Sequence, residues 1–251
     1  MQLNILLAGV GGQGILSVAY VICNAALEEG LNFKQAAVHG MAQRGGAVQS
    51  HLRISSDSIA SDLIPKGACD ILLAVEPLEA LRYLPWLNPE STIVTSINPH
   101  VNIPNYPDDD SIWTEFEKVE HVIPIDAASI AKDSGSTLAA NMVMLGAGSA
   151  FIDLEIENLE RWIAFLWRAK GRKVVDINVM AFHGGRRMSE FLLNASKTGA
   201  GLDGLRALSM GVPVDDADPE SAEGWVELLK ENPEEKWQDA ISEKVAASAT
   251  A

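Results

Sequence analysis

The sequence predicts an α/β domain, with a Rossmann-like, mainly parallel sheet flanked by helices and a helical extension at the C-terminal end. Three observations carry this reading. Asn4 to Ala8 is a short apolar run that stops at glycines, and apolar residues at helical spacing follow it. Ile71 to Val75 is a continuous apolar run, as a central parallel strand covered on both faces requires. Strand and helix patterns then alternate along the chain, which is the signature of a parallel sheet with crossover helices.

After the first strand, Ile15, Leu16, Ala19, Ile22, Cys23 and Ala26 lie on one helical face, and Gly30 beyond Glu28-Glu29 can stop the helix. Phe33 to Val38 reads as a strand, His39 to Gly46 as a polar, glycine-bearing loop, and Ala47 to Ile54 as a partly alternating strand. Glu76-Pro77 ends the central strand, and Pro77 suits the first position of a helix over Leu78 to Leu84. Thr92 to Ser96 and Val122 to Ile125 are further strands; Thr137 to Phe151, Ile156 to Ala169 and Val174 to Phe182 are helices. Beyond Leu193 the character changes to a glycine-containing loop, an acidic Pro213 to Pro219 stretch, and short amphipathic pieces around Trp225 and Trp237. The chain therefore divides into residues 1–193 and an acidic extension, 194–251, expected to pack on something other than a second core of its own.

The 251 residues carry 19 Lys+Arg against 34 Asp+Glu, a formal net charge of −15, which opposes a nonspecific nucleic-acid binder. From Asp215 to Lys244 there are 11 acids and 3 bases, so that stretch holds −8 and the rest of the chain only −7. The first 27 residues bear no charged side chain, yet a signal peptide would need a basic start and a membrane span an unbroken apolar run, which Gly9 to Gly14 interrupts. Cys23 and Cys69 are too few for a cluster or a disulfide framework and fit a reducing cytoplasm. No metal site is expected in this chain.

Two segments point to chemistry. Gly9-Val10-Gly11-Gly12-Gln13-Gly14 meets the GxGxxG pattern between a strand and a helix, where glycines admit a pyrophosphate to unpaired N–H groups at the helix start. The same spacing is equally compatible with a tight turn that binds nothing. A nicotinamide site would also want an acid at the end of the second strand, and Phe33 to His39 contains none. In His39-Gly40-Met41-Ala42-Gln43-Arg44-Gly45-Gly46, Arg44 can present its guanidinium fork to a phosphate or carboxylate; a solvated turn is the plain alternative.

Taken together, Gly-Val-Gly-Gly-Gln-Gly-Ile at 9–15, the 39–46 segment and His-Leu-Arg-Ile at 51–54 resemble the gamma-type domain of 2-oxoacid:ferredoxin oxidoreductases. Asn141 to Gly146 and Asn178 to Phe182 are similar to its later helical signatures. Met41 and Gln43 bring the pattern nearest to the beta-subunit branch of indolepyruvate (arylpyruvate) oxidoreductases, and the likeness covers about residues 1 to 190.

The resemblance implies a small subunit of an enzyme that decarboxylates a 2-oxoacid oxidatively to an acyl-CoA. Thiamine diphosphate, magnesium and [4Fe-4S] clusters would sit on a large partner subunit, with electrons leaving to ferredoxin or another acceptor. The chain lacks a GDG-type thiamine signature and supplies no catalytic residue of its own; alone it would be inactive. Coenzyme A would be held at the interface, with Gly9, Gly11, Gly12, Gln13, Gly14, Gln43, Arg44, Gly45 and Arg53 as the binding residues. A stand-alone NAD(P)-dependent oxidoreductase and a non-catalytic binding module are the competing readings. Elsewhere, Glu76 is expected to start a helix, Met142 and Met144 to fill core, Arg186-Arg187 after His183-Gly184-Gly185 to bind an anion, to pair with the acidic tail or to lie on a solvated turn, and Trp225 and Trp237 to face a partner.

Overall fold

A computed structural model describes residues 2–39 and 45–248. Strand β1 (Gln2–Val10) leads through the glycine turn into α1 (Ile15–Glu28), and β2 (Asn32–His39) and β3 (Ala47–Ser55) follow. The alternation then runs β4 (Cys69–Ala74), α2 (Pro77–Leu81), β5 (Leu87–Ser96), α3 (Asp109–Phe116), β6 (Val122–Ile125) and α4 (Ala127–Asp133). Six further helices close the chain: α5 (Ala140–Ser149), α6 (Ile156–Trp167), α7 (Arg172–Lys197), α8 (Leu202–Gly211), α9 (Ala222–Glu231) and α10 (Trp237–Ser248).

The sheet has the order β2-β3-β1-β4-β5-β6. Its β1/β4, β4/β5 and β5/β6 pairs are parallel, and only β3, antiparallel to both β1 and β2, runs the other way. The crossover through α1 leaves a gap between β1 and β2, and the return strand of the β2–β3 hairpin fills it. The apolar runs are explained by burial on both faces. In β1, Ile5 and Leu7 join the larger core beneath α1, α5 and α7, while Leu6 and Ala8 join a smaller one beneath α2 and α3.

Two expectations need correction. Residues 183–187 form no turn: α7 runs unbroken to Lys197. The double glycine is there for packing, because a Cβ on Gly185 would run into the Val143 carbonyl and one on Gly146 into the Phe182 carbonyl, so α5 and α7 cross almost backbone to backbone. The extension has no partner-facing tryptophan pair. Trp225 is 4% exposed and belongs with Leu229 and Ile241 to the larger core, while the half-buried Trp237 donates from Nε1 to the Leu229 carbonyl at 2.9 Å. The physical reason is that α7 carries Phe191, Leu192 and Ala195 past the end of the sheet, and α8 to α10 supply the cover that this face requires. Arg187 serves the same junction, donating to the Asp215 and Ala217 carbonyls.

Helices α3 and α4 escape the apolar periodicity because each is short, but their caps are written in the sequence. Asp108 accepts from Ser111 N at 2.8 Å and Asp126 from Ser129 N at 3.1 Å. Among the described residues no helix is long and apolar enough to cross a membrane. Cys23 and Cys69 are both buried and unpaired, and burial pushes each thiol up to about 12.

Candidate functional site

The site grows from the carboxyl end of β1. A Cβ on Gly9 would stand 2.6 Å from Ile15 Cδ1 and 2.9 Å from Gln13 Oε1, so a side chain there would have to displace Ile15 and the Gln13 amide that closes the turn. Gln13 then closes the turn by accepting from Val10 N at 2.7 Å. Gly14 caps α1 at φ +79°, in the left-handed region that other residues resist, and Asn141 Nδ2 donates to its carbonyl at 3.3 Å. The first turn of α1 has neither an acidic residue nor a side-chain cap; Ser17 N and Val18 N donate to the Gly14 carbonyl, and the positive end of the helix dipole is left unopposed by any side-chain charge in that turn.

The second segment meets the first through its end. Gly11 N donates to the Gly46 carbonyl at 2.7 Å, Gly45 N donates to the Gly11 carbonyl at 3.2 Å, and Gly45 adopts φ +82°. Asn102 Nδ2 donates to the Gly45 carbonyl at 2.9 Å, tying in the loop after β5. Gln43 and Arg44 lie outside the described residues. The structure thus brings Gly9, Gly11, Gly12, Gln13, Gly14 and Gly45 together at one end of the sheet.

Arg53 is elsewhere. It pairs with Asn4 at the start of β1, whereas Gly9 pairs with Val48, five residues and about 16 Å along the strand. Its Nε donates to Asn4 Oδ1 at 2.8 Å and its Nη1 to the Ser61 carbonyl at 3.1 Å. The resemblance placed Arg53 with the ligand; in the fold it fastens the opposite end.

A cleft of about 340 Å3 opens beside the glycine turn, at the carboxyl ends of β1, β4 and β5, with Gly12, Gln13, Val75, Ser96, Leu138 and Asn141 in its walls. This is where open α/β sheets place ligands. Larger depressions exist; one of about 840 Å3, between Glu29, the 149–157 segment and Arg186, lies away from the glycine turn. On the cleft floor Asn98 is held in place, its Nδ2 donating to Asp126 Oδ1 at 2.9 Å and its Oδ1 accepting from Ala128 N at 2.8 Å.

Glu76, at the carboxyl end of β4, is 1% exposed and starts α2 as expected, Oε2 accepting from Glu79 N at 2.7 Å. It does more than that. Its Oε1 accepts from the Tyr106 hydroxyl in a very short contact and from His100 N at 3.3 Å, so one carboxylate pins both ends of the loop that carries Asn102. Burial, and then the hydrogen bond to Glu76, push the Tyr106 phenol well above its ordinary range. The arrangement therefore ties the glycine turn, the end of the second segment and the loop after β5 together beside the cleft. Reading the sequence missed Asn98 and Asn102, because a lone Asn in a loop has no local pattern; only the tertiary contacts single them out.

Residues 4–188 match the family model of pyruvate ferredoxin/flavodoxin oxidoreductase. The chain belongs to that family. It is an IorB-like, small-subunit member: over 194 residues it is 41% identical to indolepyruvate oxidoreductase subunit IorB of Archaeoglobus fulgidus, covering 74% of this chain and 94% of that protein. The IorB subunit of Methanothermobacter thermautotrophicus is 38% identical over 192 residues, covering 74% and 96%. The fold also matches a 2-oxoglutarate:ferredoxin oxidoreductase from Magnetococcus marinus solved with 2-oxoglutarate, coenzyme A and succinyl-CoA bound. That match has a TM-score of 0.62 at 22% identity over 75% of this chain and 31% of that one. The keto/oxoacid ferredoxin oxidoreductase gamma subunit from Geobacter sulfurreducens has a TM-score of 0.55 at 24% identity, covering 74% and 98%. At these identities the two structures show the fold alone. Family membership sets aside the stand-alone nicotinamide reading, which β2 had already weakened by ending without an acid.

Proposed function

We propose that this chain is the small subunit of a 2-oxoacid ferredoxin oxidoreductase acting on indolepyruvate or a similar arylpyruvate, and that it holds coenzyme A against a large partner subunit in the cytoplasm. The observation that carries the proposal is the 41% identity to a whole IorB subunit, extending over 94% of its length. Two cysteines, both buried and raised to about 12, cannot ligate a [4Fe-4S] cluster, so clusters belong on the partner. Thiamine diphosphate with magnesium, also on the partner, would supply the decarboxylating chemistry, and ferredoxin or another acceptor would take the electrons. This chain binds, orients and excludes water.

In this reading the backbone N–H groups that the Gly9–Gly14 turn does not spend internally and the start of α1 receive coenzyme A's phosphates, with Gln43, Arg44 and Gly45 as further binding residues. Arg53 takes no part, since its guanidinium is spent on the far end of the sheet. The charge balance agrees with this, because more than half of the −15 sits in residues 215–244 and the body carries −7. Residues 1–193 form the family domain, and 194–251 act as a brace for it.

The test is reconstitution with the large subunit and measurement of 2-oxoacid-dependent dye reduction. Turnover is expected from the complex and from neither chain alone. Arg44→Ala should raise the apparent KM for coenzyme A about tenfold or more, the worth of a charged phosphate contact. Nicotinamide-dependent turnover by the isolated chain would overturn the proposal.

A further inference from the structure

Charge is laid out unevenly along α7. Residues 168–173, at the corner between α6 and α7, carry four basic side chains and no acidic one, all in exposed residues. Residues 213–220, which lie against the second half of α7, carry four acidic side chains and no basic one. Arg187 Nη2 and Asn194 Nδ2 hold that segment to the helix through the Asp215 and Pro219 carbonyls, at 2.8 and 3.1 Å. Between the two ends the surface is apolar. Met180 is 56% exposed, and with Ile130, Val179 and Val214 it lines a depression of about 530 Å3. Lys173, Asp176, Met180, His183 and Arg187 recur every three or four positions, so they lie along one face of the helix. Asp176 pairs with Arg172 at 3.7 Å and His183 with Glu160 at 2.9 Å. Counting Asp176 with the basic end, and Lys132, Asp133 and Arg187 with the acidic one, leaves the two ends oppositely charged.

The spacing of these features is symmetric. Lys173 and Arg187 stand seven residues, about 10 Å, to either side of Met180. The charged ends are therefore about 20 Å apart, beyond the range of screened attraction within one chain. A two-fold axis passing beside Met180 brings them together between two chains. It reverses α7, sets the basic end of each copy against the acidic end of the other, and closes the two apolar depressions on one another. An isologous contact needs a surface that is its own complement, whereas a different partner imposes no such symmetry. We propose that this face of α7, with the 213–220 segment, docks a second copy of this chain in the antiparallel sense. Arg187 does not oppose the pairing, because its guanidinium is turned onto the Asp215 and Ala217 carbonyls. The contact uses none of the residues of the glycine turn and is independent of what that turn binds.

The experiment is cross-linking and sedimentation equilibrium of the full chain, alone and assembled with its large subunit. Met180→Cys should give a covalent pair of this chain on mild oxidation or with a short bismaleimide, and Leu63→Cys, 52% exposed on the 56–68 segment, should not. Cys23 and Cys69 are buried and do not compete. Lys173→Glu should raise the dimer dissociation constant about tenfold, since each dimer contains the reversed contact twice. Adding Asp215→Lys to it should restore the wild-type constant; both positions are exposed, so neither change burdens folding. Absence of the Met180→Cys link both in the isolated chain and in the complex, equal linking at the two cysteines, or a double variant as weak as Lys173→Glu would each overturn the proposal. So would a Lys173→Glu chain that dimerises normally but fails to assemble with the large subunit, which would give this face to that subunit instead.

Discussion

The two ends of the β1–β3 ladder use similar residues to opposite effect. At the amino end of β1, Asn4 N donates to Asp70 Oδ2 at 2.7 Å, Asn4 Nδ2 to the Ala68 carbonyl at 2.8 Å, and Asn4 Oδ1 accepts from Arg53. Nearby, the buried His51 accepts from Ile64 N through Nδ1 at 3.1 Å, and Trp86 Nε1 donates to the Ile64 carbonyl at 3.2 Å. The polar groups there are consumed in fastening the 56–68 segment. At the carboxyl end, glycines replace side chains, the start of α1 has no side-chain cap, and the buried Asn141 Oδ1 is left without a hydrogen-bond partner among the described residues. What separates the ends is whether hydrogen-bonding capacity is spent; residue type says little. Arg53 and Asn141 illustrate the two cases.

The comparison can be broken from either end. The largest expected effect is Gly14→Ala, which places a Cβ at φ +79° and against the Asn141 amide; it should cost about 3 kcal/mol in a denaturant titration and abolish coenzyme A binding in the complex. Loss of binding without loss of stability would show that the turn is not held as tightly as the contacts indicate. Arg53→Ala should cost about 1 to 2 kcal/mol of stability, given its partial exposure, while the coenzyme A KM stays put. Paired with Arg44→Ala, which should do the reverse, this is a double dissociation; a raised KM in Arg53→Ala would erase the distinction between the ends. Tyr106→Phe removes the hydroxyl that Glu76 accepts and should loosen the loop bearing Asn102, raising the coenzyme A KM about threefold with kcat unchanged. An unchanged KM would mean that Asn102 holds Gly45 without that support.

The smallest effect concerns pH at the fastened end. Burial pulls His51 below its ordinary 6.5, with Asp62 opposing the shift. The unfolded chain therefore takes up the proton first, so this contribution is full above about pH 6.5 and falls as pH drops below it. His51→Gln, which can still accept from Ile64 N but does not titrate, should flatten the fall in melting temperature between about pH 7 and pH 5. A slope identical to wild type would place the sensitivity elsewhere.

Much of this architecture is legible in the residues. All six strands appear near their expected positions; β1, β4 and β6 are short apolar runs buried on both sheet faces, whereas the edge strand β2 is largely exposed and is read from its place between Gly30 and the glycine-bearing loop. The glycine turn is legible as well, since its pattern needs only local geometry. Helices α3 and α4 are shorter than the periodicity requires, and the true length of α7 is hidden because Gly184-Gly185 looks like punctuation until α5 is known to cross there. Trp225 reads as a partner contact for the same reason: an amphipathic helix has an apolar face, and its own sequence does not say which surface will cover it.

By itself the sequence determined the fold class, the glycine turn and the family, because periodicity, turn chemistry and ordered motifs are properties of neighbours along the chain. Only the tertiary structure decided which polar groups the fold consumes. Hydrogen bonds between Gly14 and Asn141, 127 positions apart, or Asn4 and Arg53, 49 apart, are set by sheet register and helix crossing, and no local pattern encodes them. The same packing turned the acidic extension inward, since the apolar face of α7 had to be covered and α8 to α10 were the segments within reach.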